Sequence, residues 1–356
     1  MLRSLHLRNF RLYEDASFEF SPKFNVIRGP NARGKTTILE AIFFLMVGRS
    51  FRTAQTTDLI RQGANYFCID AVFIQHGIEH SLRIYYNGKE RKITCNSTHY
   101  ASSVELLGLL QGVVIHPDDV NVVKGAPGFR RQLLDLQLEQ SDPLYVHHLN
   151  RYDRAMRQRN HLLRAKNPTT IESWEYEMAN SAAYIIKQRQ KVVGDLELRG
   201  RLLYQKICNG TEGLSLVYKA NGAGEHSSFE GHQLRLLFCD QYQRHRPKEM
   251  ELGATLTGPH KDDMTIAINE KEARIVASEG QQRSCVIALR LAEWERLKSV
   301  SYESPLMLVD DLGMSLDLGR RARLLEYLST LDQVFVTTTE ESMLLDDEHV
   351  VIARKK

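Results

Sequence analysis

The chain has 356 residues, more than most single domains, and 42% of them are hydrophobic, so we expect one large packed core with an appended or inserted subdomain. The five cysteines lie far apart and form no C-x-x-C pair, which argues against a disulfide framework or a zinc site and fits a reducing compartment. No signal peptide or bilayer-spanning apolar run is visible, so we expect a cytoplasmic protein without a membrane partner.

The charge is unevenly distributed along the chain. The formal net charge is only +3, but residues 126–250 hold 19 Lys and Arg against 14 Asp and Glu, a net +5. The remaining residues hold 28 against 30, a net −2. The positive excess therefore lies in the middle segment, where we expect a polyanion to bind.

The first motif in chain order is a phosphate loop. Residues 29–36, Gly-Pro-Asn-Ala-Arg-Gly-Lys-Thr, match the G-x-x-x-x-G-K-[ST] pattern at every fixed position. A strand-like run precedes the loop at 24–27 and a helix-period run follows it, and this context favours the motif over a Gly-rich turn before an ordinary helix. Lys35 is expected to reach the β- and γ-phosphates, and Thr36 to place its hydroxyl on Mg²⁺. The sequence therefore predicts a nucleoside triphosphate site.

Short alternating runs predict β-structure around this loop. Residues 5–10 and 16–20 predict a strand pair that shelters the nucleotide base. Runs at 67–73, 79–86 and 91–95, with Asn87-Gly88 as a turn signal, predict a β-rich insert beside the nucleotide. A further strand at 113–115 ends at the polar residues 116–119, His-Pro-Asp-Asp, which either meet water or metal at the strand end or form a solvated turn.

The middle segment is helical in pattern. Helix-period runs at 129–138, 144–163 and 171–204 predict a basic helical arm over residues 126–250, inserted between an N-terminal part at 1–125 and a C-terminal part at 251–356. Arg151, Arg154 and Arg157 form a basic face that either binds DNA or is a solvated surface, and three more basic residues lie nearby, namely Arg159, Arg164 and Lys166.

Two motifs in the last third of the chain also predict nucleotide binding. Residues 278–281, Ser-Glu-Gly-Gln, form a turn that opens a helix, and its free N–H groups and Ser hydroxyl give a second phosphate site. The apolar strand at 305–309 ends in Asp310-Asp311, the form of a Walker B strand, for which a polar stop to a core strand is the alternative. Asp310 is assigned to Mg²⁺ and Asp311 to the attacking water. A helix at 320–328 and a last core strand at 333–339 follow.

The predicted site is composed of these two loops and the Asp-Asp strand. The nucleotide-binding residues are Gly29, Pro30, Asn31, Ala32, Arg33, Gly34, Lys35, Thr36, Thr37, Ser278, Gly280 and Gln281. Lys35, Asp310 and Asp311 are the catalytic residues, and Thr36 and Asp310 hold the metal.

In this order the motifs resemble the RecF family, bacterial recombination and repair ATPases that are similar to the heads of SMC-type chromosome proteins and, more distantly, to ABC transporter ATPases. The matching segments are residues 7–11, 29–36, 39–42, 48–53, 124–127, 130–131, 258–263, 278–282, 310–311 and 333–339. Gly-Arg-Ser-Phe-Arg-Thr at 48–53 and Gly-Pro-His-Lys-Asp-Asp at 258–263 look specific to that family. Departures from the family pattern occur at Ala32, Arg33, Glu279 and Met314-Ser315.

The resemblance implies an α/β fold, an ABC/SMC-type P-loop ATPase head with an inserted α-helical arm. It implies an ATP-dependent homodimer in which two subunits sandwich two ATP molecules, each between the phosphate loop of one chain and the Ser278 turn of the other. It further implies weak DNA-stimulated ATP hydrolysis, binding of duplex DNA, gapped DNA and single-strand/duplex junctions, and cooperation with RecR and RecO in RecA loading, replication restart and the SOS response.

Two other functions share some of these motifs. A transporter-type ATPase that drives a membrane partner shares the loop, the signature turn and the Asp-Asp strand. Against it stand the long basic segment and the absence of a His after the final strand, at Thr337-Thr338-Thr339. An SMC-like structural protein with long coils is disfavoured because the arm is too short for sustained heptads.

Overall fold

The computed structural model describes residues 1–210, 212–224, 230–301, 303–311, 316–339 and 349–352. The chain forms two compact units. Unit 1 comprises Met1–Asp119, Leu203–Thr211 and Glu279–Lys356, and unit 2 comprises Val120–Leu202 and Glu212–Ser278.

The described residues form strands and helices in the following order. The strands are β1 (Leu2–Phe10), β2 (Tyr13–Glu19), β3 (Phe24–Arg28), β4 (Phe67–Gln75), β5 (Ile78–Tyr86), β6 (Arg91–Cys95), β7 (Thr98–Tyr100), β8 (Gly112–Ile115), β9 (Leu214–Lys219), β10 (Asp263–Ile268), β11 (Lys271–Glu272), β12 (Leu306–Val309), β13 (Val334–Thr338) and β14 (His349–Ile352). The helices are α1 (Lys35–Val47), α2 (Asn121–Lys124), α3 (Pro127–Ser141), α4 (Pro143–Arg164), α5 (Ile171–Cys208), α6 (Gly231–Leu252), α7 (Ala273–Val276), α8 (Glu279–Val300) and α9 (Leu318–Ser329).

A parallel sheet forms the centre of unit 1. Its strand order is β14-β3-β13-β12-β8, and every neighbouring pair is parallel. All residues of β8, β12 and β13 are buried, which is why these strands read as continuous apolar runs rather than alternating ones. The carboxyl ends of β3 and β12, where the phosphate loop and the Asp-Asp pair begin, are separated by β13 alone.

An antiparallel sheet forms the second layer of unit 1, with the order β2-β1-β4-β5-β6-β7. One face is apolar and buried, as the alternation in β1 and β4 requires, and Phe10 and Phe67 pack edge to face there with ring centroids 5.3 Å apart. Helix α1 is buried at nearly all of its positions and ends at Gly48, whose φ of 70° is the left-handed C-cap conformation.

Unit 2 combines long helices with a small sheet. Helix α4 begins after Asp142, whose side chain accepts hydrogen bonds from the N–H groups of Leu144 and Tyr145. The sheet order is β11-β10-β9, with β9 and β10 antiparallel from Asp263 opposite Lys219 to Ile268 opposite Leu214.

The α/β class with a P-loop head is confirmed. Most of the helices and strands that the sequence predicts are present within a few residues at their ends, but the sequence analysis predicted no element at α6, β7, β11 or β14. The unit boundaries differ from the predicted domain boundaries, because unit 2 begins at Val120 and continues past residue 250 to Ser278. The physical reason is the pairing of β9 with β10, which joins residues 263–268 to the middle segment.

Candidate nucleotide site

The phosphate loop connects β3 to α1. Lys35 is buried, and its Nζ donates hydrogen bonds to the main-chain carbonyls of Gly29 at 2.7 Å and Pro30 at 3.0 Å, so the side chain lies back across its own loop. Burial lowers the pKa of Lys35, against the opposing effect of the Asp311 and Asp310 carboxylates. The ammonium therefore lies where it could face phosphate oxygens.

Tyr13 of β2 covers this loop, and the sequence analysis did not single it out. Its hydroxyl donates to the carbonyl of Gly34 at 3.3 Å, and burial raises its pKa, which keeps it a neutral donor. Gly34 has φ 96°, and a Cβ there would lie 2.7 Å from the Tyr13 hydroxyl oxygen, so only glycine fits. This loop conformation leaves its backbone free to approach a ligand closely.

Ala32 is a strained position in the same loop. Its φ is 61°, the left-handed region in which an L side chain costs roughly 1–2 kcal/mol. The family pattern that the sequence resembles has glycine here. Alanine at position 32 in place of glycine therefore strains the backbone. It removes no side chain that would contact phosphate.

Asp310 joins the two nucleotide motifs. It follows β12 and is buried, with 7% exposure. Its Oδ1 accepts hydrogen bonds from the Thr36 hydroxyl at 2.9 Å and from the Thr337 hydroxyl at 2.8 Å. The phosphate-loop hydroxyl and the first Walker B carboxylate, predicted from motifs 274 residues apart, are thus in direct contact.

Asp311 leaves the strand with a different backbone. Its φ is 56°, which Asp tolerates better than most residues, and its N–H donates to the Thr337 hydroxyl at 2.8 Å. One threonine hydroxyl therefore orients both aspartates. The sequence analysis missed Thr337, although a Thr run at the end of the last core strand was a signal for it.

The predicted signature turn lies at the start of α8. Ser278 is the last residue of unit 2 and is exposed, and Gly280 and Gln281 lie in the first turn of α8, where both are partly buried. A Cβ at Gly280 would lie 3.1 Å from Nη1 of Arg320. Their assignment to nucleotide stays a prediction.

The buried carboxylate of Glu40 on α1 connects three of the segments that carry the family resemblance, namely 7–11, 39–42 and 48–53. It accepts two hydrogen bonds from Arg11, at 2.7 and 3.0 Å, one from Ser50 at 2.5 Å and one from Arg52 at 3.3 Å. The Gly-Arg-Ser-Phe-Arg-Thr segment is therefore tied to the phosphate-loop helix.

Residues 116–119 lie in different environments: the Asp118 side chain is 83% exposed, as a solvated turn predicts, whereas Asp119 is not. Asp119 is mostly buried, and its carboxylate accepts hydrogen bonds from Nε of Arg290 at 3.0 Å and from Nη2 at 2.5 Å. It also accepts one from the N–H of His116 at 2.9 Å. The acid is thus part of an ion pair with α8 rather than a metal ligand or a solvated turn residue.

The predicted DNA-binding arginines lie on α4 and are not equivalent. Arg151 forms an ion pair with Glu177, including an Nη2–Oε2 contact of 2.6 Å, and this partner raises its pKa. Arg154 and Arg157 are exposed. Their role in DNA binding stays a prediction.

Arg159 corrects the predicted basic face. It is fully buried, where it contacts Glu249 at 2.6 Å and Glu175 at 2.9 Å and donates to Thr255 at 2.9 Å. A charge of this kind is buried only when it is paired, so Arg159 is a core residue of unit 2.

The residues of unit 1 fit a magnesium nucleotide. The Gly34 backbone is held against Tyr13 with no room for a side chain, the Lys35 ammonium lies inside the loop, and a hydroxyl and a carboxylate oxygen meet at Thr36 and Asp310. Hard oxygen ligands of this type suit Mg²⁺. Bound Mg²⁺ would neutralise developing charge on the phosphates, and the chain would supply its position.

Comparisons with known proteins first define the class of protein to which the chain belongs. The family model "RecF/RecN/SMC N terminal domain" matches residues 1–356. The fold is similar to the Smc head domain of Pyrococcus furiosus, with a TM-score of 0.58 and 17% identity over 99% of this chain and 94% of that one. The chain is an SMC-type P-loop ATPase.

More similar proteins then define the family. The chain is 50% identical to the DNA replication and repair protein RecF of Protochlamydia amoebophila, over 96% of this chain and 95% of the relative. It is 35% identical to RecF of Moorella thermoacetica, over 96% and 91%. A solved structure described as the recombination mediator protein RecF-ATP in the RecFOR pathway has a TM-score of 0.92 and 28% identity over 99% of this chain and 95% of that one. The chain belongs to the RecF family.

These findings also decide against the transporter alternative, because the relatives and the ATP-bound structure are RecF proteins. In the part of the chain that the structure describes, no helix combines the length and the apolar character needed to cross a bilayer.

Proposed function

We propose that this chain is an ATP-gated DNA clamp of recombinational repair, in which ATP serves mainly to join two copies on duplex or gapped DNA. The observation that carries the proposal is the Thr36–Asp310 contact of 2.9 Å, since it brings the phosphate-loop hydroxyl and the first Walker B carboxylate together in a RecF-family protein. ATP hydrolysis is weak and DNA-stimulated, and it resets the clamp.

The phosphate loop binds and orients the nucleotide. Backbone N–H groups of residues 31–34 would face the phosphates, the Lys35 ammonium would turn from the Gly29 and Pro30 carbonyls to the β- and γ-phosphates, and the α1 dipole would add to the attraction. Thr36 and Asp310 would hold Mg²⁺. Thr37 follows Thr36 in the first turn of α1 and is buried.

The two aspartates have separate tasks. Asp310 is held by two hydroxyl donors and acts on the metal, whereas Asp311 leaves the strand in a left-handed conformation and acts on the attacking water. Loss of Asp310 therefore weakens Mg·ATP binding, and loss of Asp311 slows hydrolysis of bound ATP.

Ser278, Gly280 and Gln281 complete the site of a second copy. The exposed Ser278 hydroxyl and the N-terminal N–H groups of α8 bind the γ-phosphate held by the partner's phosphate loop, which gives a symmetric dimer with two shared sites.

The DNA and protein partners follow from the family. DNA contacts the basic middle segment through Arg151, Arg154 and Arg157, and RecR and RecO act with the clamp in RecA loading, replication restart and the SOS response. The five cysteines all lie in the described part of the chain and form no disulfide there, which supports a reducing compartment, and we place the protein in the cytoplasm.

A mixing experiment tests the shared site. Ser278→Arg places a bulky cation in the turn and should keep ATP binding by the monomer while blocking the ATP-dependent dimer. Lys35→Met keeps the turn and damages the loop. A mixture of the two restores one intact loop facing one intact turn, so partial ATP-dependent dimerisation or hydrolysis should return.

The matched control is each variant alone at the same total concentration, which should stay monomeric. If Ser278→Arg alone removes ATP binding at concentrations where no dimer forms, the turn works within its own chain and the shared-site proposal is wrong.

A further inference from the structure

Two segments that the nucleotide site does not explain meet within unit 2. They are residues 258–263, Gly-Pro-His-Lys-Asp-Asp, and residues 124–131, which include Lys124, Arg130 and Arg131. Arg130 donates to the Asp263 carboxylate at 2.6 and 3.1 Å and to the carbonyl of Gly125 at 3.0 Å, and Arg131 donates to the main-chain carbonyl of Asp262 at 2.7 Å. The two segments therefore form one surface.

In the 258–263 segment only Lys261 is exposed, and the residues on either side of it are buried or partly buried. His260 accepts a hydrogen bond from the Tyr152 hydroxyl at 2.7 Å. Asp262 is fully buried and accepts hydrogen bonds from Arg189 at 3.1 Å and from the N–H of Asn221 at 2.7 Å. Lys261 lies between these anchors and is exposed. The buried network thus fixes the backbone from which one lysine projects to solvent.

A depression of about 690 Å³ adjoins Lys261. Its lining includes Lys219, Lys261 and the loop of residues 221–224. Lys219 is exposed and lies opposite Asp263 in the β9–β10 pairing, which brings it to the same end of the sheet as Lys261. We call this feature, defined by Lys219, Lys261 and residues 221–224, the lysine depression.

The loop of residues 221–224 beside these lysines packs closely against Thr257 and Gln241. Gly222 has φ 88°, and a Cβ there would lie 2.3 Å from Cγ2 of Thr257 and 2.6 Å from Oε1 of Gln241. Only glycine allows this approach, so the shape of the loop is fixed by sequence.

The exposed charge of this surface is positive. Lys124, Lys219 and Lys261 are exposed, whereas Asp262 is buried and Asp263, which also lines the depression with its side chain 32% exposed, is paired with Arg130. Ammonium groups at the rim of a pocket beside a glycine-containing turn suit a phosphate group. The arrangement favours a chain of phosphates, because two exposed lysines, Lys219 and Lys261, line one depression beside the Gly222 turn.

We propose that the lysine depression binds backbone phosphates of DNA, as a contact separate from Arg151, Arg154 and Arg157 on α4. The inference rests on the proposed DNA-binding function and adds a second place where the duplex contacts unit 2. Contacts to phosphate carry no base information, so this site binds DNA independently of sequence.

The test compares Lys219→Gln/Lys261→Gln with the parent chain and with Lys248→Gln/Lys271→Gln, which removes the same charge from exposed lysines elsewhere in unit 2. Duplex binding is measured with ATP as a function of salt. Two lost phosphate contacts lower the slope of log affinity against log salt by about 1.8, and at 0.1 M salt they weaken binding about 60-fold. The control pair should keep the parent slope, and both variants should bind ATP as the parent does.

Each of three outcomes would overturn a specific part of the proposal. If the parent does not bind duplex DNA, the proposed function fails. If the parent binds but Lys219→Gln/Lys261→Gln matches it in affinity and slope, the lysine depression is not a DNA contact. If inorganic phosphate protects Lys219 and Lys261 from chemical acetylation and the duplex does not, the site takes free anions and not DNA. Protection by the duplex alone, with the lowered slope, supports the proposal.

Discussion

Replacing Thr337 by Val removes the hydroxyl that orients both aspartates while keeping the size of the side chain. The hydroxyl donates to Asp310 at 2.8 Å and accepts from the N–H of Asp311 at 2.8 Å, and the residue is 1% exposed. A hydrogen bond to a charged group contributes about 1.5–3 kcal/mol. If the bond to Asp310 holds the carboxylate toward the metal, its loss should weaken Mg·ATP binding by roughly 10- to 150-fold, at 1.4 kcal/mol for each factor of ten.

The assay is a titration with a fluorescent ATP analogue, with Mg²⁺ and then with EDTA. Because Asp310 acts through the metal, the loss in Thr337→Val should be large with Mg²⁺ and small without it. Thr337→Ser keeps the hydroxyl and is the matched control, expected to bind close to the parent value. An equal loss with and without Mg²⁺, or no loss at all, would refute the reasoning that Thr337 orients Asp310.

Three further predictions follow from single residues. Asp310→Asn should abolish productive Mg·ATP binding, whereas Asp311→Asn, which keeps a residue type tolerant of φ 56°, should bind ATP and hydrolyse it slowly; equal loss of affinity in both would contradict the division of tasks. Ala32→Gly should raise the melting temperature by about 1–3 °C because it relieves the φ of 61°, and Ala32→Val should lower it. Burial lowers the pKa of His260 to about 4, so its contribution to stability is complete above pH 6.5 and is lost as the pH falls toward 4; an NMR titration that gives an ordinary pKa near 6.5 would disprove this.

The nucleotide motifs were predictable because their information is local. A phosphate loop needs a strand, a turn of fixed spacing and a helix, and all three are visible within residues 24–47. The Walker B strand is likewise a short apolar run that ends in two carboxylates. Parallel strands buried on both faces give continuous apolar runs, which made the core strands recognisable from composition alone.

The parts that the sequence did not reveal depend on which segments the sheets bring together. Thr337 orients Asp310 only because β13 lies beside β12 in the parallel sheet. Arg159 looks like one more surface charge on α4, and nothing local distinguishes it from Arg157. Its burial follows from Glu175 and Glu249, which are distant in sequence.

The partner of Asp119 was hidden for the same reason. The acid follows β8 in a polar turn, which is typical of a solvated loop or a metal site, and its ion pair with Arg290 spans 171 residues. The extension of unit 2 to Ser278 likewise depends on the antiparallel pairing of β9 with β10.

The most direct test of the clamp is the mass of the chain with nucleotide and DNA, measured by light scattering after gel filtration. The chain has a mass of 40.9 kDa. With ATP and a gapped duplex, the parent and especially Asp311→Asn should elute as a complex that contains two copies of the chain, and with ADP or without nucleotide as one. A single copy in every condition, in protein that demonstrably binds ATP, would contradict the proposal that ATP joins two chains on DNA.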